Sequence, residues 1–276
     1  MKRINKFSVI TACFNSEKYI EETIQSIIQQ KAVSQKRVQL EYILCDGGST
    51  DNTLSIIRKY ADEHNLIVIS ERDSGMYDAL TKGIEKITGD VCSYLNAGDL
   101  YSNTAFDVVL DIMENNPVSW LTGINTFYNE QSQIIAFEIP FKYRTSFIKS
   151  GIYGTVLPFI QQESTFWRSE LNSTVDLERL RTFKLAGDYY LWSCFTNQSQ
   201  LYIVQSHLGG FKTHHGQLSG NIKSYIKEMN AIASPNFFLK ICAYIDSIVW
   251  RLPARVKKAL NKKGFFKYDN VLGVWK

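Results

Sequence analysis

Apolar and polar positions follow two rhythms along this chain, and each switch of rhythm marks an element. Phe7 to Ala12 (FSVITA) is a nearly unbroken apolar run, the pattern of a strand buried on both faces. From about Glu17 to Gln30 the spacing turns helical, with Ile20, Ile24, Ile27 and Ile28 on one face and Ser16 placed to cap the start. A second apolar run, Tyr42 to Cys45, ends abruptly in Asp46-Gly47-Gly48-Ser49-Thr50-Asp51. Asn52 to Glu63 then reads as a helix carrying Leu54, Ile56, Ile57 and Tyr60, with Ser49 or Asp51 as its cap. Leu66 to Ser70 predicts a third strand, Met76 to Ile87 a third helix and Val91 to Leu95 a fourth strand. Strands alternating with helices of about a dozen residues specify βαβ units and a mostly parallel sheet.

The second half is less regular. Thr104 to Asn115 reads as a helix closed by Asn116-Pro117. Ser119 to Phe127 and Gln133 to Ile139 read as strands, a hairpin around Asn129 to Ser132. Lys142 to Pro158 is loop-like, and Phe159 to Arg168 reads as a polar entry into an aromatic strand. Ala186 to Trp192 opens an aromatic-rich helix with an acid, Asp188, near its start. An acid there either complements the helix terminus or performs chemistry. From Ser234 onward Phe237, Phe238, Ile241, Tyr244, Ile245, Ile248, Val249 and Leu252 recur at helical spacing. Arg251, Arg255, Lys257, Lys258, Lys262, Lys263 and Lys267 form a cationic flank with few acids, Asp246 and Asp269.

The chemistry sits in the turns. Each of the first four strands is followed by a polar set: Thr11 with Asn15, Asp46 with Ser49, Asp73 with Ser74, and Asn96 with Asp99. Any one set is explained by turn-forming alone. Four in succession at one edge of an open α/β sheet converge on the crevice where such sheets bind ligands. A crevice rich in carboxylate and hydroxyl suits a ribose, a base edge and a divalent cation that carries phosphate. Other nucleotide sites fail on spacing, because no G-x-G-x-x-G follows the first strand and no G-x-x-x-x-G-K-[ST] occurs. Asp46 to Asp51 also lacks the acid ladder of an EF-hand loop.

Composition narrows the class. A net charge of +4 is too mild to specify nucleic acid, and no such partner is expected. The 5 cysteines are scattered without a C-x-x-C pair, which points to free thiols and a reducing compartment. The apolar run after the basic start is too short for a signal peptide. With no apolar stretch of membrane-spanning length, a cytoplasmic protein is expected.

The segments FSVITACFNSEKYIEETIQSIIQQ, YILCDGGSTDNT, SERDSGMYDALTKGI and GDVCSYLNAGD together resemble the nucleotide-sugar-binding half of glycosyltransferase family 2. The likeness is closest to members that build bacterial surface polysaccharides. It implies a GT-A fold, a Rossmann-like and mostly parallel central sheet flanked by helices, and an inverting reaction. By resemblance, Thr11, Phe14, Asn15 and Glu17 flank the nucleotide base. Asp46 takes a base-edge hydrogen bond, which points to uracil, and Asp73 lies near base or ribose. Ser49, Asp78, Asn96, Ala97 and Gly98 complete the donor side, and Asp99 ligates a divalent metal, Mn2+ or Mg2+. Here the chain departs from the family, whose metal motif carries two or more acids where this one has Asp99 alone. A divalent cation tolerates one carboxylate with phosphates and waters.

The resemblance further puts Gln161, Gln162, Glu163 and Trp192 on the acceptor side and makes Asp188 the catalytic base. Trp192 could instead serve the helix core. His214 and His215 fall in the family's loop over the donor diphosphate, where they contact phosphate or metal or stay solvated. The expected reaction moves a hexosyl group from a nucleotide-sugar donor, a UDP-sugar, to a glycan or lipid-linked oligosaccharide acceptor. Residues 1–233 would form the transferase domain, with 1–100 the donor half and 101–233 the acceptor half. Residues 234–276 would form a basic amphipathic helical tail, lying on an anionic membrane surface or packed on the domain. Two rivals stand beside this. A sugar nucleotidyltransferase wants a glycine-rich basic loop after the first strand, where this chain has Cys13-Phe14-Asn15-Ser16-Glu17. A catalytically silent sugar-nucleotide scaffold is kept open by the single acid at Asn96 to Asp99, while Asp188 and the Asp46 turn speak for transfer.

Overall fold

A computed structural model describes residues 3–213 and 220–276. The first half is a run of βαβ units: β1 (Lys6–Cys13), α1 (Ile20–Ile28), the short α2 (Lys31–Ser34), β2 (Gln39–Asp46), α3 (Thr53–His64), β3 (Ile67–Ser70), α4 (Met76–Ile84) and β4 (Val91–Tyr94). Then follow β5 (Leu100–Tyr101), α5 (Ala105–Asn115), β6 (Trp120–Thr122), β7 (Asn125–Tyr128), β8 (Ile134–Glu138), α6 (Thr145–Lys149) and β9 (Thr165–Arg168). The remainder holds α7 (Leu177–Thr182), α8 (Gly187–Phe195), β10 (Tyr202–Val204), β11 (Gly209–Lys212), α9 (Ile222–Ile232), α10 (Phe237–Trp250) and α11 (Ala254–Leu260). Three two-residue strands close it, β12 (Phe265–Phe266), β13 (Tyr268–Asp269) and β14 (Val274–Trp275).

The main sheet has eight strands in the order β12-β10-β6-β9-β4-β1-β2-β3. All its pairings are parallel except those of β9, which runs antiparallel to β4 and β6. A parallel sheet must be covered on both faces, and the alternation along β1 and β2 supplies both. Phe7, Val9, Tyr42 and Leu44 face a core shared with α1, α3 and α5. Ile10, Ala12, Ile43 and Cys45 face the other core, shared with α4, α7 and α8. Within that second core Trp120 stacks on Trp192 at 5.6 Å, and Trp167 meets Trp192 at 6.0 Å edge-on. A second sheet, β5-β11-β7-β8, takes up the chain where it leaves β4 and β6 of the main sheet.

The structure corrects several expectations. Helix α1 begins at Ile20, later than predicted, because Ser16 does not cap it with its side chain. The Ser16 carbonyl accepts from Tyr19 and Ile20, and its hydroxyl donates to Phe14 O. The predicted strand over 119–127 is two strands in different sheets, broken at Gly123. A Cβ there would lie 2.7 Å from Ser206 O, so only glycine allows the chain to pass so close. The loop over 142–158 contains α6. The C-terminal helices are present, but the chain then returns to the main sheet, where β12 pairs with β10. Lys257 does not join the cationic flank: it is buried and donates to Ile139 O at 2.5 Å.

Candidate active site

Parallel register brings the ends of β1, β2 and β3 level, with Cys13 opposite Asp46 and Asp46 opposite Ser70. The loops that follow are laced together. Asn15 N–H donates to Ser49 Oγ, Thr50 N–H to Asn15 Oδ1, Glu17 N–H to Asp51, and Asn52 N–H to Glu17. Asp46 is buried and accepts from Ser49 N–H, Ser49 Oγ and Ser70 Oγ, so it pins its own turn. Asp73 crosses over that turn, and a Cβ on Gly47 would meet its carboxylate at 2.7 Å. Burial raises the Asp73 carboxyl, against the Gly75 N–H that lowers it. Phe14 stands at the rim with 60% of its surface exposed, free to stack on a flat ligand.

After β4 the chain turns tightly through Asn96 to Asp99, with Gly98 at φ 114°, a left-handed position that favours glycine. Thr23 on α1 holds the turn, its Oγ1 donating to Asp99 O and accepting from Gly98 N–H. Asp99 is 4% exposed, and its Oδ1 accepts from Lys212 N–H at 2.9 Å. Burial and the neighbouring Glu163 raise the Asp99 carboxyl well above the ordinary range. Lys212, itself buried, pairs with Glu22 on α1. Among the described residues, no group of three or more His, Cys, Asp or Glu gathers to hold a metal. Asn96 Oδ1 is nevertheless buried without a hydrogen-bond partner among them. One amide oxygen and one carboxylate, both hard donors, fit a divalent cation whose other ligands are phosphate and water.

Asp188 stands in the first turn of α8. Its Oδ1 accepts from Tyr225 Oη at 2.9 Å and from Tyr77 Oη at 3.3 Å. Tyr77 belongs to the first turn of α4, directly after the Asp73 loop, so the donor loops and Asp188 share one wall. Lys184 reinforces that wall by donating to Ser74 O. Burial pushes Asp188 up to about 6, against the Tyr189 N–H and the two phenols that hold it down. Glu163 lies electrostatically between the two acids. Burial raises it to about 7, with the charge of Asp188 adding to the rise. Asp188 borders a small gap walled by Ile148, Phe159, Ile160, Tyr189 and Tyr225.

Four sequence-predicted residues are occupied elsewhere. Thr11 is fully buried, its Oγ1 accepting from Tyr42 Oη. The Gln161 amide is spent on β7, bonding Thr126 N–H and O at 2.8 Å each. Trp192 is packed in the tryptophan core while also lining the gap beside Asp188. Asp78 accepts from Ser74 N–H and pairs with Arg181 at 3.2 Å. Gln162 turns toward Glu163, donating at 3.0 Å. His214 and His215 lie outside the described residues. Sequence reasoning missed Tyr77, Tyr225 and Lys212. Tyr77 lay inside a quoted segment, but nothing in the sequence brings Tyr225 or Lys212 beside these acids.

The family model for glycosyl transferase family 2 matches residues 8–172, more than half of the chain, from within β1 through β9. The chain belongs to glycosyl transferase family 2. Asp188 lies past the matched segment of this family 2 protein. Among curated relatives, it is 29% identical over 165 residues to a PGL/p-HBAD biosynthesis glycosyltransferase of Mycobacterium bovis, covering 55% of this chain and 62% of the relative. A putative teichuronic acid biosynthesis glycosyltransferase of Bacillus subtilis, TuaG, is 28% identical over 163 residues, covering 57% of this chain and 63% of the relative. The matches thus span less than two thirds of these relatives' lengths. Among solved structures, S. aureus TarS in complex with UDP-GlcNAc superposes with a TM-score of 0.62 at 16% identity, over 94% of this chain and 76% of the other. The mannosyltransferase PcManGT from Pyrobaculum calidifontis, in complex with GDP-Man and Mn2+, gives a TM-score of 0.54 at 18% identity, over 79% and 60%. The family 2 fold is therefore the GT-A type of these neighbours.

Proposed function

We propose that this protein is an inverting glycosyltransferase that moves a sugar from a UDP-sugar to a hydroxyl of a lipid-linked glycan during assembly of a bacterial surface polysaccharide. One observation carries the reading: Asp188, desolvated and held by two phenols, stands across a shared wall from the interlaced donor loops. A sugar hydroxyl is a weak nucleophile. A positioned carboxylate takes its proton as the new bond to the anomeric carbon forms and the bond to the diphosphate breaks. Attack from the face opposite the leaving group inverts that carbon. Phe14 and the Asp46 and Asp73 turns receive the nucleoside. Asn96 and Asp99 would hold Mn2+ or Mg2+, which when bound neutralises charge on the leaving diphosphate. Residues up to about 100 serve the donor and the rest of the domain the acceptor.

The relatives' names, which concern PGL/p-HBAD and teichuronic acid biosynthesis, support the pathway class. The UDP-GlcNAc bound to TarS supports the uridine donor, and GDP-Man in the other neighbour makes the base the quantity to measure. Thermal unfolding against a panel of nucleoside diphosphates, with and without Mn2+, tests this directly. A ligand at a hundredfold excess over its Kd stabilises the native state by about 2.7 kcal/mol. UDP with Mn2+ should raise the melting temperature, and Asp46→Ala, which frees the turn, should remove most of that rise. No response to any nucleotide would overturn the donor site.

The proposal extends to an anionic membrane, at its cytoplasmic face. Among the described residues no helix is long and apolar enough to cross a bilayer. On α10, however, the apolar stripe faces outward: Phe237 is 80% exposed and Phe238 70%, with Tyr244, Ile245 and Ile248 also exposed. The opposite face buries Ala243, Asp246 and Trp250, and Asp246 is tied to Arg144 by two bonds of 2.6 and 2.9 Å. Lys240, Arg251, Arg255, Lys262 and Lys263 are exposed around this stripe. Apolar insertion with a cationic rim favours an anionic bilayer. Co-sedimentation with phosphatidylglycerol vesicles should exceed that with phosphatidylcholine. The double variant Phe238→Asp, Ile245→Asp should lose it with an unchanged melting temperature. Equal binding by the variant would refute the surface.

A further inference from the structure

We infer that helix α9 is a clamp for the base, with Tyr225 positioning the Asp188 carboxylate and Glu228 fixing the turn on which Asp188 stands. This rests on the reading of Asp188 as the base. The start of α8 has no side-chain cap of its own. A helix begins with N–H groups that need partners. Glu228, on another helix, meets this need at the N-cap Ala186 and fixes the two residues before it, its carboxylate accepting from Lys184, Leu185 and Ala186 N–H at 3.0, 2.8 and 2.8 Å. Three residues before it on the same face of α9, Tyr225 Oη donates to Asp188 Oδ1 at 2.9 Å. Met229 continues that face by packing on Ala186 and Tyr189. Phe159 meets the Tyr225 ring edge-on at 5.1 Å and closes the other side. One helix therefore sets both the place of the carboxylate and one of its two phenol donors.

The second phenol holds less firmly. Tyr77 Oη is 3.3 Å from Asp188 Oδ1 and shares its hydrogen with Leu185 O at 3.0 Å. The groups around Asp188 are thus Tyr225 from α9, Tyr77 from α4, Tyr94 from β4, Glu163 from the turn before β9, and Tyr189 beside it. Tyr225 gives the carboxylate its shorter, unshared side-chain bond. A hydrogen bond to the charged form favours that form. Removing it makes the base harder to ionise, a change that loss of mere packing does not produce.

The test uses the full chain and a transfer assay between about pH 5 and 9, with Asp188→Asn measured in parallel. In Tyr225→Phe the acid limb of kcat/KM should move up by about half a unit or more, with kcat largely recovered above the limb and the donor KM unchanged. Tyr77→Phe should move it less. Glu228→Gln, which offers one acceptor oxygen to three N–H groups, should lower kcat by about tenfold at every pH without moving the limb. This variant reads the clamp even where Tyr225→Phe folds poorly. An unmoved limb in Tyr225→Phe together with normal kcat in Glu228→Gln would overturn the clamp. If Asp188→Asn transfers normally, the fault lies instead in the choice of base.

Discussion

Asp188→Asn should lower kcat by about 10²–10⁴-fold and at the same time make the protein harder to unfold at about pH 8. The first effect follows from the proposed role of Asp188 as the group that takes the acceptor proton. The second follows from burial. The folded carboxyl holds its proton up to about 6, against an ordinary value of 3.8. Below the ordinary value both states are protonated and the native state bears no charge there. As pH rises from about 4 to 6 the unfolded chain gives up its proton first, so stability falls across that window and stays lower above it. Asparagine carries no charge to desolvate, and its Oδ1 still accepts from Tyr225 and Tyr77. A gain on the order of 1–2 kcal/mol at about pH 8, vanishing near pH 4, is expected. Urea unfolding at both pH values, beside a transfer assay, checks it. A variant that is less stable at about pH 8 would show that Asp188 is held as an ion for structural reasons.

Gly209→Ala should be among the most damaging single-methyl changes in the chain. Gly209 begins β11, where it pairs with Tyr101 of β5. A Cβ there would lie 2.1 Å from Glu163 O and 2.8 Å from the Tyr101 ring. The first of these atoms is backbone, in the 3-10 turn Gln162–Ser164, and it cannot rotate away. The methyl must therefore part β11 from the turn that carries Glu163, and with it shift Lys212 from Asp99. Overpacking of this kind costs about 3 kcal/mol, since neither neighbour is a flexible side chain. Gly220→Ala is the control, because a Cβ there meets nothing within 4 Å. Denaturant midpoints for both variants decide the matter, and equal midpoints would mean that β11 has slack.

How much of this was legible in the sequence depended on distance along the chain. β1 to β4 and their helices were readable because each buried strand is an apolar run that a short local turn ends. The convergence of the turns after these strands followed too, since strands of one parallel sheet align their ends whatever the details between them. Strands β5, β10 and β11 escaped because two to four residues give no rhythm to detect. The break at Gly123 escaped because its cause is Ser206, far along the chain. Resemblance makes Thr11 and Gln161 ligand contacts, but it does not reveal that Tyr42 and Thr126 already use their polar atoms. Asp188 is proposed as the base through resemblance. Its partner Tyr225 escaped, because helix α9 carries no local sign of what it touches.

The return of β12 to the main sheet governs the order in which the molecule can be finished during synthesis. Strand β10 leaves the ribosome with β6 available on one side, but its other side has no neighbour until Phe265 and Phe266 follow, after three helices have been made. Until then Ile203 and Val204 border an open strand edge, the kind of surface on which unfinished chains associate. Slower translation lengthens this interval. Yield of soluble protein should therefore track how quickly the last strand of the sheet arrives.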